Sequence, residues 1–308
     1  MCVIIAKHFK DTGWVLAKNR DQDYVSTISF KDRKSARVGE VFTLYDHDIK
    51  YQEGCNYKGL AVITTSLAPL YVPGDDGSDG DKIERAIGSF TDPEDAADYL
   101  IKQKLPGFIA CVTPDKLVMV EAAKTDQGKG EYHAFKRVIP KTETVAVTNH
   151  GLHFDWAGFQ YGYTENQDMW RKSSEMRLEQ AQKVVKNAKN LDEMIDGLAG
   201  KNEKDLQMNI FRVENKPKQM RTIFQWGFDL KNHKVYIRPI QTKLSVDVTK
   251  ELISCEVLDN EIIKKRFDGK LRHFTKYAVG DEDGHIKTVQ TEQRMLKFGE
   301  FLQKKSGI

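Results

Sequence analysis

A cysteine stands at position 2, directly behind Met1, at the head of the apolar run Cys2 to Ala6. Aminopeptidase removes methionine efficiently when the next residue is small, and cysteine qualifies. Loss of Met1 would leave a thiol and a free α-amine on one residue, with ordinary pKa values of about 8.5 and about 8. An amine of that basicity can take the thiol proton near neutral pH and later hand a proton to a leaving amine. Nucleophile and general acid/base then share one residue. Such a site also needs a cation or dipole that favours the thiolate and donors for the oxyanion of a tetrahedral intermediate. The alternative is that Cys2 is a small buried hydrophobe at the start of a strand.

The stretch Ala17-Lys18-Asn19-Arg20-Asp21 supplies candidate charges. On a strand, Lys18 and Arg20 project to one side and Asn19 and Asp21 to the other. If the partner strand carries Cys2, Asp21 comes near the α-amine and a cation comes near the thiol. A solvated strand end would show the same pattern.

The elements that must position these groups are legible in outline. Residues 2–6 and 14–18 read as strands joined by the turn Lys10-Asp11-Thr12-Gly13, a hairpin. Leu60 to Thr65 is an apolar, β-branched run introduced by Asn56-Tyr57-Lys58-Gly59. Ile83, Ala86, Ile87 and Phe90 recur at helical spacing. The stretch "TDPEDAADYLIK" opens with Thr91 and Glu94 in capping-box relation and carries the stripe Ala97, Leu100, Ile101. Strands "FIACVT" and "KLVMVEAA" follow, then "ETVAVTNH". From Asp168 to about Leu198 the pattern is helical again, with Leu178, Ala181, Val185 and Ala188, then Leu191, Met194, Ile195 and Leu198. The run "RTIFQWGFDLKNHKVYIRP" reads as a further hairpin, and Met295, Phe298 and Leu302 as a last helix. Strands, two helices, strands, two helices, strands suit an α+β fold with separate layers and hold no βαβ repeat. Residues 1–244 read as one domain and 245–308 as a C-terminal extension packed on it.

Composition narrows the function classes. With 308 residues, 40% hydrophobic and 30% charged, the chain can bury a large core. A net charge of +3 is too small to argue for nucleic acid. No run of 18 apolar residues suggests a membrane helix, and Lys7 and Lys10 break what would be a signal peptide, so a cytoplasmic protein is expected. Cys2, Cys55, Cys111 and Cys255 lie far apart, against a zinc site or a disulfide framework. The acidic stretch "GDDGSDGDK" lacks the alternating ligands and closing Glu of a calcium loop and reads as a solvated or lid loop. "KKRFDGKLRHFTKY" (264–277) interleaves basic and aromatic residues, but a solvated strand face explains it better than a nucleic-acid surface. His150 and His153 have no carboxylate partner for a metal.

Taken together, "MC" at the start, "AKNRD" near residue 20, "NYKGLAV" at 56–62 and "VTNHGLHFDW" at 147–156 resemble, in that order, the N-terminal-nucleophile (Ntn) hydrolases. The likeness is to the choloylglycine hydrolase and penicillin V acylase group, with the isopenicillin N acyltransferase branch beside it. "SSEMRLEQAQ" is similar to the Ser-Ser-x-x-Arg helix of that branch, and "PGFIACVTPDKLVMVEAA" to its central hairpin. The resemblance covers about residues 1–240. It implies a four-layer αββα sandwich with two antiparallel sheets, and attack by Cys2 on a small linear amide through an acyl-enzyme. Asp21 matches the carboxylate that holds the α-amine, Asn149 a side-chain donor at the oxyanion or amine, and Arg177 the helix arginine near the thiol. Glu121 or Asp155 can serve as a structural anchor, and neither is assigned a chemical role. No cofactor and no metal are called for, the partner is a small-molecule amide substrate, and a homo-oligomer is the habit of the group.

Two positions depart from the pattern. The group's arginine three residues before the aspartate is Lys18 here, while Arg20 is added, so either can support the thiolate. The register of a second oxyanion donor falls on Ser66, with Thr64 and Thr65 adjacent, and a hydroxyl or a backbone N–H can substitute. Ser66 and His150 are therefore expected to line the substrate site. Capture of the same acyl-enzyme by an amine would make the protein an acyltransferase. The spelling "NRD" also resembles the NRDE group, whose Ntn-like N-terminus would suit a non-catalytic binding protein. Val3 argues against the class II glutamine amidotransferases.

Overall fold

The computed structural model describes residues 1–23, 27–46, 48–67, 78–125, 130–160, 162, 164–200, 204–205, 207–212, 220–232, 234–239, 241–247, 252–258, 263–266, 271–273, 279–280 and 286–287. Strand β1 (Cys2–Phe9) turns at Asp11 and Thr12 into β2 (Gly13–Gln22). Gly13 is required there: its φ is +71°, and a Cβ would lie 2.2 Å from the Pro114 carbonyl oxygen. Next come β3 (Thr27–Ser35), β4 (Gly39–Asp46), β5 (Tyr51–Asn56) and β6 (Ala61–Thr65). Helices α1 (Ser78–Ser89) and α2 (Pro93–Lys102) precede β7 (Gly107–Val112), β8 (Leu117–Lys124), β9 (Tyr132–Ile139) and β10 (Val145–Val147). Then come helices α3 (Glu165–Asn187) and α4 (Leu191–Gly197), followed by β11 (Arg221–Asp229), β12 (Lys234–Pro239), β13 (Gln241–Asp247), β14 (Leu252–Leu258), β15 (Ile263–Arg266) and β16 (Leu271–His273).

Among the described residues these strands form two large sheets. The first runs β10-β1-β2-β11-β12-β15-β16 and the second β14-β13-β3-β4-β5-β6-β7-β8-β9. Pairing is antiparallel except between β3 and β13. The alternation of strand side chains explains the layering. In β1 and β2, Ile4, Ala6, Trp14 and Leu16 pack against Phe42, Leu44, Ile63, Phe108 and Ala110 of the second sheet. The intervening residues Val3, Ile5, Val15 and Ala17 face Ala181, Val185, Leu191, Met194 and Ile195 of α3 and α4. On the far side, Val62, Ile109, Val118 and Val120 meet Ile83, Ile87, Ala97 and Leu100 of α1 and α2. The order is helix, sheet, sheet, helix: an α+β protein in the αββα arrangement expected from the resemblance.

Some expectations shift. Helix α2 begins at Pro93 behind Asp92, whose carboxylate accepts from the Glu94 and Asp95 amides, so Asp92 and not Thr91 is the cap. The acidic stretch "GDDGSDGDK" is helical from Ser78 onward, with Asp79 and Asp81 in the first turn of α1, where acidic side chains complement the helix dipole. Its first residues, the expected helix near 295–302 and most of 245–308 lie outside the described residues. The expected boundary at 244/245 falls inside β13. The side chains of 264–277 also lie outside the described residues.

Candidate active site

Four elements converge around the backbone of Cys2. The β1–β2 register pairs Cys2 with Arg20, Val3 with Asn19 and Ile4 with Lys18. Residues paired across strands share a face, so Cys2, Arg20 and Lys18 project between the sheets, while Asn19 and Asp21 project toward the α3 side. Arg20 is thus the direct neighbour of Cys2, and Lys18 lies one pair further in. Met1 continues the ladder: its amine donates to the Asp21 carbonyl at 2.8 Å and its carbonyl accepts from the Asp21 amide at 2.7 Å. Burial pulls the Met1 amine below its ordinary pKa, against the pull of Cys2 and Asp21.

Both inward cations are neutralised. Lys18 Nζ donates to Glu53 Oε2 at 2.6 Å and to the Thr64 carbonyl at 2.7 Å. Arg20 donates from Nη2 to Asp46 Oδ2 at 2.6 Å and lies 4.7 Å from the centre of the Tyr51 ring. Burial works against the Arg20 charge, but Asp46, Glu53 and Cys2 outweigh it and raise its pKa. Among the described residues the Arg20 Nε–H has no hydrogen-bond partner. Tyr51 donates to Glu53 and shares a hydrogen bond with Thr64 Oγ1, and burial, then Glu53, holds its phenol well above the ordinary range.

On the opposite face of β2, Asp21 is fully buried between two arginines. Its Oδ1 accepts from the Thr222 hydroxyl at 2.9 Å. Its Oδ2 pairs in charge with Arg177 Nη1 at 3.6 Å and Arg212 Nη1 at 3.7 Å, beyond hydrogen-bonding reach, and accepts no hydrogen bond among the described residues. A bulge in β11 makes the Thr222 contact: the register slips between Thr222, opposite Asp21, and Phe224, opposite Arg20. The extra residue lets Thr222 face the carboxylate while Phe224 stays in the inter-sheet core. Asn19 on this face is structural. Its amide ties the carbonyls of Leu198 and Ile210 to the sheet and accepts from Gln225.

Asn149 closes the cluster just beyond β10. Its Oδ1 accepts from the Cys2 amide at 3.1 Å and from Arg177 Nη2 at 3.1 Å, while its Nδ2 donates to Thr65 Oγ1 at 3.0 Å and the Ser66 carbonyl at 2.8 Å. Donors on one side and a carbonyl on the other fix the amide's orientation. Arg177 also reaches the Cys2 carbonyl at 3.4 Å. It can do so because α3, capped by Thr164, buries a polar stripe of Ser173, Ser174, Arg177 and Gln180 where a core helix would present aliphatic residues. Burial lowers the Arg177 pKa, against the pull of Asp21.

Ser66 is exposed and enters the cluster through its carbonyl. His150 is buried, with Nδ1 2.8 Å from Ser174 Oγ and 3.3 Å from Thr148 Oγ1. Burial and then Arg171 push its pKa down to about 4, so it is neutral at pH 7. Its described partners lie in the α3 network and do not include Cys2. Glu121 is an anchor: its carboxylate accepts from the amides of Leu152, His153 and Phe154 at 2.8–3.1 Å and holds the turn that follows Asn149. Asp155 is exposed.

Sequence reasoning did not find Glu53, Asp46, Tyr51, Thr222 or Arg212. Arg212 donates to Ser173 Oγ at 2.6 Å and the Gln207 carbonyl at 3.2 Å, and its Nη1 lies 3.7 Å from Met1 Sδ. Burial and then Arg177 bring its pKa down to about 9. The available signal was the pair of carboxylates inside the apolar runs "VFTLYD" and "YQEGCN", which need buried partners of opposite charge.

No family model matches the chain, and no curated protein does. Among solved structures it is similar to a penicillin V acylase from Agrobacterium tumefaciens, at 12% identity and a TM-score of 0.46 over 83% of this chain and 86% of that one. It is also similar to the C2A mutant of a conjugated bile acid hydrolase from Clostridium perfringens, at 14% identity and 0.46 over 86% and 96%. An N-acylethanolamine-hydrolyzing acid amidase ortholog from Caenorhabditis elegans stands at 10% identity and 0.45 over 75% and 93%.

Proposed function

We propose that the protein is an Ntn cysteine amidohydrolase that cleaves a small linear amide through a thioester on Cys2, once Met1 has been removed. The observation that carries this reading is the convergence on one backbone nitrogen. The Cys2 nitrogen donates to Asn149, whose Oδ1 also takes Arg177, and the neighbouring Asp21 keeps a buried oxygen that accepts no hydrogen bond among the described residues. As a peptide N–H, that nitrogen has one proton to give. As a free amine it gains donors, and Asp21 Oδ2, which faces two arginines without accepting a hydrogen bond from either, is a natural acceptor for one of them.

In the reaction, the α-amine takes the proton of the Cys2 thiol and the sulfur attacks the substrate carbonyl, forming a C–S bond and an oxyanion. Arg20, held by Asp46, stands opposite Cys2 on the same face. Collapse breaks the C–N bond as the α-ammonium protonates the leaving amine. Water then adds to the thioester, giving its proton to the α-amine, and the acid departs as sulfur leaves as thiolate. Asn149 and Asp21 orient the amine, and Arg177 holds Asn149. An amine in place of water in the last step would give acyl transfer.

Intact-mass analysis of the Met1-free protein after exposure to a panel of N-acyl amides and activated acyl esters tests the reading. An acyl adduct that maps to residue 2 and disappears in Cys2→Ala is expected. Absence of both adduct and turnover in protein already lacking Met1 would sink the enzyme and favour a binding protein of the same architecture.

A further inference from the structure

The amide hydrogens of Asn149 are both spent, one on Thr65 Oγ1 and one on the Ser66 carbonyl. Asn149 therefore has no side-chain hydrogen left for an oxyanion, and the donor must come from elsewhere. Thr64 and Thr65 close β6 and Ser66 follows it, with Thr65 and Ser66 both bonded to Asn149. Ser66 is exposed. The Thr64 hydroxyl is engaged with Tyr51. Thr65 is 2% exposed and its Oγ1 accepts from Asn149, and among the described residues its hydroxyl proton has no acceptor.

The direction of that proton follows from strand alternation. Thr65 has the parity of Ala61 and Ile63, which pack in the inter-sheet core, and Cys2 has the parity of Ile4 and Ala6, which pack in the same core. Strands β1 and β6 face each other across it. The Cys2 sulfur and the Thr65 hydroxyl thus enter one space from opposite walls, and Asn149 bonds to both residues at 3.0–3.1 Å.

We infer that the Thr65 hydroxyl donates the side-chain hydrogen bond to the oxyanion formed when Cys2 attacks its substrate, with Asn149 orienting that hydroxyl. The inference rests on Cys2 being the nucleophile and adds the group that stabilises its tetrahedral intermediate. No proton is transferred: the hydroxyl hydrogen bonds to the carbonyl oxygen as it gains negative charge, and the bond is released when the C–N bond breaks. Accepting from Asn149 Nδ2 polarises the hydroxyl and makes it a stronger donor. Its position between the sheets keeps water from competing.

Two rates on Met1-free protein separate this role from a scaffolding one. Acylation of Cys2 by a p-nitrophenyl ester of a short fatty acid passes through an oxyanion, whereas alkylation by iodoacetamide does not. Thr65→Val, which keeps the shape and β-branching, should slow acylation by about 10²–10³-fold, the effect of losing one such donor. Alkylation should stay within about twofold of the unsubstituted protein, and Thr65→Ser should recover most of the acylation rate. Unchanged acylation in Thr65→Val overturns the inference, as does a parallel fall in both rates or failure of Thr65→Ser to recover. If the unsubstituted protein alkylates at Cys2 but is never acylated, the nucleophile reading itself fails, and that result is read before any variant is made.

Discussion

At the scale of single residues, the chain spends its buried charges in closed pairs on one face of β2 and leaves an open arrangement on the other. Lys18 and Glu53 are both almost wholly buried, with an N–O distance of 2.6 Å. Removing one partner of such a pair strands the other charge in a low-dielectric interior, at a cost of about 3–5 kcal/mol, whereas an apolar pair of similar volume is often neutral. Lys18→Met is therefore expected to lower unfolding stability by about that amount. Lys18→Met with Glu53→Leu should recover most of it, measured by urea denaturation. A double variant no more stable than the single one would show that the pair matters for something other than charge compensation. The faces of Lys18, Asn19, Arg20 and Asp21 were legible from the sequence because a strand has a period of two. Glu53 and Asp46 were not, because pairing between the sheets joins positions far apart in the chain and leaves no local period. Arg212 was illegible for a related reason: it stands in a loop with no repeating pattern.

At the scale of elements, the parts that hold the site are irregular, and irregular parts carry the weakest sequence signal. The two central hairpins and the four helices could be anticipated from apolar periodicity. Strands β3, β4, β5 and β9 could not, since charged and polar residues interrupt their alternation. The β11 bulge leaves no trace in composition, yet it turns Thr222 toward Asp21. The turn after β10 is similar. Three successive amides, from Leu152 to Phe154, close on the Glu121 carboxylate, and Gly151 has no room for a side chain because a Cβ would lie 1.9 Å from the Phe154 carbonyl oxygen. Glutamine offers these amides one oxygen and an opposing NH2 group. Glu121→Gln is accordingly expected to cost about 2–3 kcal/mol, in the range for hydrogen bonds to a charged acceptor. It should also speed hydrogen exchange at 152–154, and exchange there at the unsubstituted rate would remove Glu121 from its anchoring role.

At the scale of the whole molecule, the chain laces its two sheets together along one side. Strand β12 belongs to the first sheet and ends at Pro239, and β13 begins at Gln241 in the second, beside β3. After β14 the chain returns to the first sheet, where β15 pairs with β12. Strand β13 thus covers the β3 edge of one sheet and β15 the β12 edge of the other. Residues 245–308 carry no clear periodic pattern, and an extension packed on residues 1–244 is the natural reading; the pairing points to a segment that completes both sheets, which we propose as its role. A chain ending at Pro239 would expose two strand edges at once, each a template for pairing with a second chain. Such a truncation is expected to self-associate by light scattering and to unfold at a lower temperature than the full chain. A monomeric truncation with an unchanged midpoint would make residues 240–308 an appendage, and the edges of both sheets would then be protected by other means.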